Sequence, residues 1–437
     1  MAIKNWNAPR SIAREDMVAT SDALLAQPDI PFVEKEDIFR LEALGLAWDI
    51  GVMTYTPQDE SRIPTDLDGK KIGFFLLHGG SADFRFMAPL ARLLTGKYGY
   101  KVVSMTYPGR LNFENPTREW PGDTISPDGV VRTPIWLRGE TITPDQMDVI
   151  RDVSLRARYG TRINARAKPG TLFYDRMAAW PVAFEEAMKE ACRRHLPPDS
   201  YSIFVHGHST GGPFVHMLTQ RVANIAGVVG MENSPFATIY QKMLDIDWPG
   251  PFTDLLIRTW RDVARYAGAE AYHQEGEKAL MRLPWLMEDV FDEWEKSKSQ
   301  PNFKAEYIMH YACTRELTAS AHAVARRLKL DDNATAALVD RYIGYTREMS
   351  GPGVKPVPPI LLSITKFSRD HRAEVYENVV LPSFAKMNPA PPVTLVRFEA
   401  GTHHYEHAEP DLPIGLVPSI TALWHDAIRS GYFSRRS

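Results

Sequence analysis

The stretch Tyr201-Ser-Ile-Phe-Val-His-Gly-His-Ser-Thr-Gly-Gly212 joins an apolar run to a helical pattern through a serine between glycines. Residues 201–205 are mainly β-branched and aromatic, which favours a buried strand. Apolar residues then recur at helical spacing, at Phe214, Val215, Leu218 and Val222. The sequence therefore predicts that a strand, a tight turn and a helix meet at Ser209.

The turn at Ser209 has the pattern G-x-S-x-G. We expect a side chain at Gly207 or Gly211 to collide with the neighbouring strand or helix, so that the serine oxygen is lifted clear of the sheet. This stretch resembles the nucleophile elbow of the α/β-hydrolase superfamily, and the resemblance extends from about residue 40 to the end of the chain. It implies an esterase-like serine hydrolase with an α/β fold, in which helices flank a mostly parallel central sheet. It also implies a helical cap inserted after the sixth strand.

Composition narrows the classes of partner and compartment. The 437 residues carry a net charge of −3, which gives no reason to expect nucleic acid or an anionic membrane as a partner. Cys192 and Cys313 both lie in helical patterns, which predicts a reducing compartment without a disulfide framework. The first residues lack the apolar core of a signal peptide, and no apolar run is long enough to span a bilayer. We expect a cytoplasmic protein that acts on a small molecule, with its oligomeric state left open.

The first half of the chain predicts a mixed sheet. Residues 38–55 alternate between apolar and polar, as expected for an antiparallel pair at a sheet edge. The continuous apolar run 71–77 is typical of a central strand. Helical periodicity over 84–94 followed by a strand at 100–107 predicts a right-handed crossover and a parallel sheet.

A glycine-rich loop, His78-Gly79-Gly80, follows the run 71–77 directly. In the resembling family, a His-Gly loop at this place supplies half of the oxyanion hole. The resemblance implies backbone N–H donors at Gly80 and at Thr210, because glycine lets the chain approach the oxygen that becomes negative. For the ring of His78, the prediction is a hydrogen bond to its own loop.

Residues 111–170 form an insertion, in which Thr143-Pro-Asp-Gln146 has the residues of a helix start. The predicted helix would carry arginines at four-residue steps within a basic stretch between Arg151 and Lys168, namely Arg158, Arg162 and Arg166. Such a stripe is usually a solvated face. The alternative is that one arginine pairs with a carboxylate of the substrate.

Strand patterns are replaced by helical ones in residues 236–355, which predicts the helical cap. The predicted organisation is an N-terminal extension (1–37), a core in two parts (38–235 and 356–437), and the cap between them. Taken together, the aromatic side chains of the cap region predict an apolar or aromatic substrate. They are Trp248, Trp260, Trp285, Trp294, Tyr307 and Tyr311.

Two carboxylates are candidates for the acid of a catalytic triad. The run 360–365 predicts a strand, and in the family the acid follows this strand, where Asp370 lies before the next helix. We favour Asp370, although it could instead cap that helix. Glu232, which ends the predicted strand 225–231, is the alternative because some relatives carry the acid there.

The last predicted strand, 393–398, leads to two adjacent histidines. The family places its general base just after a glycine beyond this strand, which matches Gly401-Thr-His403. We prefer His403, because its spacing to Glu409-Pro410 fits the family better, and keep His404 as the alternative. The order serine, acid, histidine supports the assignment.

The resemblance implies that Ser209 attacks a carboxylic ester and forms an acyl-enzyme, without a metal or organic cofactor. Hydrolysis of a carbon–carbon, thioester, lactone or amide bond would use the same residues. A non-catalytic binding module with this fold is the alternative from another class.

Overall fold

The structure is a computed structural model that describes parts of the chain. These are residues 10–79, 84–106, 108, 124–125, 131–132, 147–157, 160–167, 172–208, 211–233, 279–282, 321–322, 324–347, 353, 355–368, 373, 376–385, 387–405 and 415–434. The strands in these parts are β1 (Arg10–Ile12), β2 (Phe32–Ala43), β3 (Leu46–Pro57), β4 (Lys71–Leu77), β5 (Lys101–Met105), β6 (Thr124–Ile125), β7 (Val131–Arg132), β8 (Met147–Ala157), β9 (Gly160–Ala167), β10 (Tyr201–Gly207), β11 (Ile225–Met231), β12 (Ala279–Arg282), β13 (Ile360–Thr365) and β14 (Val393–Phe398). The α-helices are α1 (Arg14–Leu25), α2 (Ala88–Tyr98), α3 (Leu172–His195), α4 (Gly211–Leu218), α5 (Asp332–Arg347), α6 (Leu381–Ala385) and α7 (Val417–Arg429).

The main sheet has nine strands in the order β1-β14-β13-β11-β10-β4-β5-β3-β2. Strand β3 runs antiparallel to both β2 and β5, and the other neighbours are parallel. Side chains of α2 and α7 pack on one face, while α4 packs against the other. The predicted α/β class with a mostly parallel sheet is confirmed.

The central strands are buried along almost their whole length. This holds for β4, β10, β11 and β13. Helices cover both faces of these strands, which explains their continuous apolar sequences. The antiparallel pair predicted at the sheet edge is confirmed as β2 and β3, although β2 begins at Phe32, earlier than predicted.

Residues 10–25, which the sequence assigns to an N-terminal extension, contribute to the main body. Strand β1 extends the sheet beside β14. Helix α1 contacts α7, buries Met17 fully, and brings the hydroxyls of Ser21 and Ser419 within 3.1 Å of each other. The apolar residues of this segment are too sparse in the sequence to reveal its place in the fold.

The helix predicted to start at Thr143 is wrong over the residues that the structure describes. Strands β8 and β9 form an antiparallel pair there, and β12 lies parallel to β9. A spacing of four residues keeps side chains on one face of a helix, but it also keeps them on one face of a strand, whose period is two. The arginine spacing therefore could not distinguish a helix from a strand.

The cap segment 236–355 is described only in part. Helix α5 lies in it and agrees with the helical prediction, whereas β12 does not, so the prediction of a segment made only of helices is wrong. The aromatic residues predicted to line a substrate pocket lie outside the described residues. The cap and its boundaries therefore stay predictions.

None of the helices in the described parts of the chain combines the length and the apolar character needed to cross a membrane.

Candidate active site

The turn after β10 is shaped by close contact between Gly207 and α4. A Cβ atom at Gly207 would lie 2.3 Å from the carbonyl oxygen of Gly211 and 2.7 Å from Cγ2 of Val215. The collision predicted for Gly207 is confirmed. The chain is held on both sides of the turn, because the N–H of His208 donates to the Leu77 carbonyl at 2.9 Å and the N–H of Gly211 donates to the His208 carbonyl at 2.8 Å.

Replacing Gly207 by alanine is expected to lower the free energy of unfolding by about 3 kcal/mol or more, because the new methyl group meets backbone that cannot move aside. Gly227→Ala in β11 is the matched control. There the new methyl group meets the ring of Phe433, a side chain that can turn. Urea unfolding of both variants measures the difference, and equal stability of Gly207→Ala and the wild type would contradict the expectation.

His403 lies in the turn that follows β14. Gly401 has a φ of +83°, a left-handed conformation that glycine adopts without strain. The His403 side chain is 11% exposed, and its Nδ1 lies 2.8 Å from Oε2 of Glu232. A carboxylate only accepts hydrogen bonds, so Nδ1 carries the proton of this bond. In the neutral ring, the other nitrogen, Nε2, is therefore the one that can accept a hydrogen bond.

Glu232 follows β11 directly and its side chain is fully buried. Its φ of +53° is unusual for a residue with a side chain and costs roughly 1–2 kcal/mol. One oxygen, Oε1, accepts from the backbone N–H of Thr365 at 2.9 Å and from its hydroxyl at 2.6 Å. The other, Oε2, accepts from the hydroxyl of Ser368 at 2.5 Å as well as from His403. These hydrogen bonds fix the carboxylate at the end of the sheet.

Among the predicted site residues, the structure brings together His403 and Glu232. Ser209, Thr210, Gly80 and Asp370 lie outside the described residues. The exposed His404 has its ring 5.4 Å from that of His403.

Sequence reasoning missed Thr365 and Ser368, the two hydroxyl donors to Glu232. The neighbouring ends of β11 and β13 carry the signal that could have found them. Parallel strands finish at the same edge of the sheet, so polar residues after adjacent strands come close together.

The ring of His78 is buried, and its Nδ1 lies 2.8 Å from the carbonyl oxygen of Gly79. A carbonyl can only accept, so Nδ1 donates. The predicted hydrogen bond between His78 and its own loop is confirmed.

His216, on α4, gives the fold a dependence on pH. Burial lowers the pKa of its ring from 6.5 to about 4, and the nearby Asn233 side chain partly opposes this shift. Between these two pH values the unfolded chain binds the proton and the folded chain does not. The free energy of unfolding is therefore expected to fall by about 3 kcal/mol as the pH drops from 6.5 towards 4.

Urea unfolding at about pH 7 and pH 4.5 measures this loss, and His216→Gln should show a smaller loss than the wild type. An equal loss in both proteins would assign the pH dependence to other groups. His195 and His425 are two such groups, because burial also lowers their pKa values.

Within the described residues, no group of three or more His, Cys, Asp or Glu side chains is arranged to hold a metal ion.

No protein-family model matches the chain, and no curated protein matches its sequence. Solved structures do. A thermostable esterase from Pseudomonas putida ECU1011 is 14% identical with a TM-score of 0.35, and the match covers 95% of this chain and 86% of that one. Fluorophosphonate-binding serine hydrolase F of Staphylococcus aureus is 12% identical with a TM-score of 0.37, covering 93% of this chain and 100% of that one. Vibralactone cyclase is 10% identical with a TM-score of 0.39, and the match covers 96% of this chain and 85% of that one. Likeness at this level says nothing about the reaction of this chain.

Proposed function

We propose that the protein is a serine hydrolase of the α/β-hydrolase type, with Ser209 as nucleophile, His403 as general base and Glu232 as the acid that orients it. The observation that carries this proposal is the 2.8 Å hydrogen bond between Nδ1 of His403 and the buried carboxylate of Glu232. A histidine held in this way by a carboxylate is the central pair of a catalytic triad.

The position of His208 supports a role for Ser209. Nε2 of His208 lies 3.0 Å from the carbonyl oxygen of His403, and the two rings stack with their centroids 4.9 Å apart. Ser209 follows His208 in the sequence, and consecutive Cα atoms are about 3.8 Å apart. The chain can therefore bring the hydroxyl of Ser209 to the ring of His403.

The choice of Glu232 over Asp370 rests on its contacts. Glu232 already accepts hydrogen bonds from His403, Thr365 and Ser368. A second carboxylate on the same imidazole Nδ1 would have to displace this one, at the cost of leaving a buried charge without its partner. For Asp370, which the sequence favoured as the acid, we propose the alternative role of capping the helix predicted to follow it.

The proposed reaction begins when Nε2 of His403 takes the proton from the Ser209 hydroxyl. The serine oxygen forms a bond to the substrate carbonyl carbon, and the carbonyl electron pair moves onto its oxygen. When the tetrahedral intermediate collapses, the leaving alcohol takes the proton from His403 and an acyl-enzyme remains. Water, deprotonated by His403, then attacks the ester, and the Ser209 oxygen leaves with the proton. Throughout, Glu232 stabilises the imidazolium.

The oxyanion of each intermediate requires donors aimed at it, and we assign the backbone N–H groups of Gly80 and Thr210 to this role. Two described neighbours support the assignment. The His78 ring fixes the start of the loop that contains Gly80. Helix α4 begins at Gly211, directly after Thr210, and the partial positive charge of a helix N-terminus favours an anion there.

The proposed substrate is a carboxylic ester of an apolar or aromatic small molecule. A fluorophosphonate probe tests the triad without knowledge of the natural substrate, because it reacts with an activated serine. The wild type should be labelled at Ser209, and Ser209→Ala should not be. An unlabelled wild type would favour a binding module. Hydrolysis of p-nitrophenyl esters of graded chain length tests the substrate class, and failure on all of them with labelling intact would favour another acyl bond.

A further inference from the structure

Two histidines flank Gly207 in the nucleophile strand and belong to no step of the reaction above. His206 lies in β10, and His208 follows the last residue of that strand. Both rings lie beside the ring of Tyr405, with centroids 6.0 Å and 5.0 Å away. Both are buried, with exposures of 0% and 3%. The ring of His206 lies 5.0 Å from that of Trp424, which places His206 on the face covered by α7.

His208 holds the backbone of the general base. Its Nε2 lies 3.0 Å from the carbonyl oxygen of His403, and this nitrogen must donate because a carbonyl only accepts. Its ring is stacked between two others, with the ring of His403 at 4.9 Å and the ring of Phe86 at 5.6 Å. Both the backbone and the ring of His403 therefore touch one side chain of the nucleophile turn.

His206 holds the same loop two residues further on. Its Nδ1 donates to the carbonyl of Val229 in β11 at 2.9 Å. In the neutral ring, Nε2 is then an acceptor, and it receives the hydroxyl of Tyr405 at 2.5 Å. Tyr405 is 2% exposed, so this contact is sheltered from water. The loop is thus held at residues 403 and 405, by two histidines two positions apart in the chain.

We propose that His206 and His208 form a clamp that positions the general base relative to the nucleophile. This inference rests on the proposed function. Glu232 holds the His403 ring from the end of β11. The clamp adds contacts from the nucleophile segment itself, because His206 lies in β10 and His208 lies between β10 and Ser209. The general base is then held by the same segment that carries the nucleophile.

The expected effect of loosening the clamp is large for a group that touches no substrate. A displacement of about 1 Å between reacting groups can cost about 100-fold in rate. Substrate binding should change little, because both rings of the clamp are buried. Circular dichroism establishes that the variants are folded, because unfolded protein also lowers the apparent kcat at unchanged KM. A loss in kcat of a folded variant at unchanged KM then distinguishes a positioning role from a role in substrate binding.

Two amides at position 208 separate the hydrogen bond from the bulk of the side chain. The nitrogen of glutamine occupies the place of Nε2 in histidine, whereas the nitrogen of asparagine occupies the place of Nδ1. We expect His208→Asn to react with a fluorophosphonate probe about 100-fold more slowly than the wild type, and His208→Gln to recover most of this loss. Equal rates for the two variants would overturn the proposal.

Tyr405→Phe tests the other half of the clamp and covers the case in which the His208 variants fail to fold. It removes one hydroxyl and is expected to slow labelling about tenfold, the effect of a net hydrogen bond of about 1.4 kcal/mol. Labelling at the wild-type rate in folded Tyr405→Phe would remove His206 from the clamp and overturn the proposal in this form.

A readout independent of activity keeps the two proposals apart. The proton on Nδ1 of His403 gives a downfield NMR signal, assigned by its loss in His403→Gln. The clamp predicts that this signal shifts in His208→Asn and stays in place in His208→Gln. If the signal behaves in this way and the wild type is not labelled, the clamp holds and the proposed function fails. If the wild type is labelled but the signal is the same in both variants, the clamp fails alone.

Discussion

Glu232→Gln is expected to lower kcat, and the rate of labelling by a fluorophosphonate, by about 10³- to 10⁴-fold. The amide can keep an oxygen towards Thr365, so its nitrogen then faces Nδ1 of His403. Two donors cannot bond to each other, and the ring has to move its proton to Nε2. In that tautomer His403 cannot accept the proton of Ser209. Stopped-flow labelling and steady-state hydrolysis of a p-nitrophenyl ester measure the loss.

Asp370→Asn is the matched control, because it makes the same chemical change at the other candidate acid. Its kcat should stay within about threefold of the wild type, since the proposed mechanism gives Asp370 no part in proton transfer and asparagine caps a helix about as well as aspartate. Circular dichroism and thermal unfolding of both variants establish that they are folded. A large loss in Asp370→Asn with little loss in Glu232→Gln would reverse the assignment of the acid.

His403→Ala is expected to lower the same rates by about 10⁴- to 10⁶-fold, because the Ser209 hydroxyl then has no base to take its proton. The residual rate would come from binding and from the oxyanion donors. KM should change little, because the base does its work in the transition state.

His404→Ala supplies the comparison for the base. The side chain of His404 is exposed, whereas that of His403 is only 11% exposed and is hydrogen-bonded to Glu232. We expect His404→Ala to react within about threefold of the wild type, because the proposed mechanism gives its ring no proton to transfer. If His404→Ala were as slow as His403→Ala, both rings would be needed and the single-base mechanism would be wrong.

The sheet was predictable from sequence where packing makes a simple pattern. The apolar runs of β4, β10, β11 and β13 are buried on both faces and are continuous in the sequence. The pair β8 and β9 was not predictable, because arginines four residues apart fit both periods. Strand β1 has three residues and pairs with β14, which lies far away in the sequence, so no local sequence pattern predicts this strand.

The site was predictable to the extent that it follows strand ends. His403 and Glu232 were both candidates, because each follows a predicted strand. The sequence ranked Asp370 above Glu232 from the place of the acid in the resembling family. Both follow neighbouring strands, so the choice depends on which side chain reaches the ring, and periodicity does not show this. The contacts of His206 and His208 depend on the path of a loop two hundred positions away, which periodicity does not reveal.

The pairing of β1 with β14 bears on how the chain is made. Ile12 leaves the ribosome long before its partner Phe398 is synthesised. Until α7 is also synthesised, α1 cannot pack on it, and the side chain of Met17, which is buried in the folded protein, is exposed to water. During synthesis the segment of β1 and α1 therefore stays exposed, with apolar side chains that can bind other chains. When β1 finally pairs with β14, it covers a strand edge that could otherwise pair with another molecule.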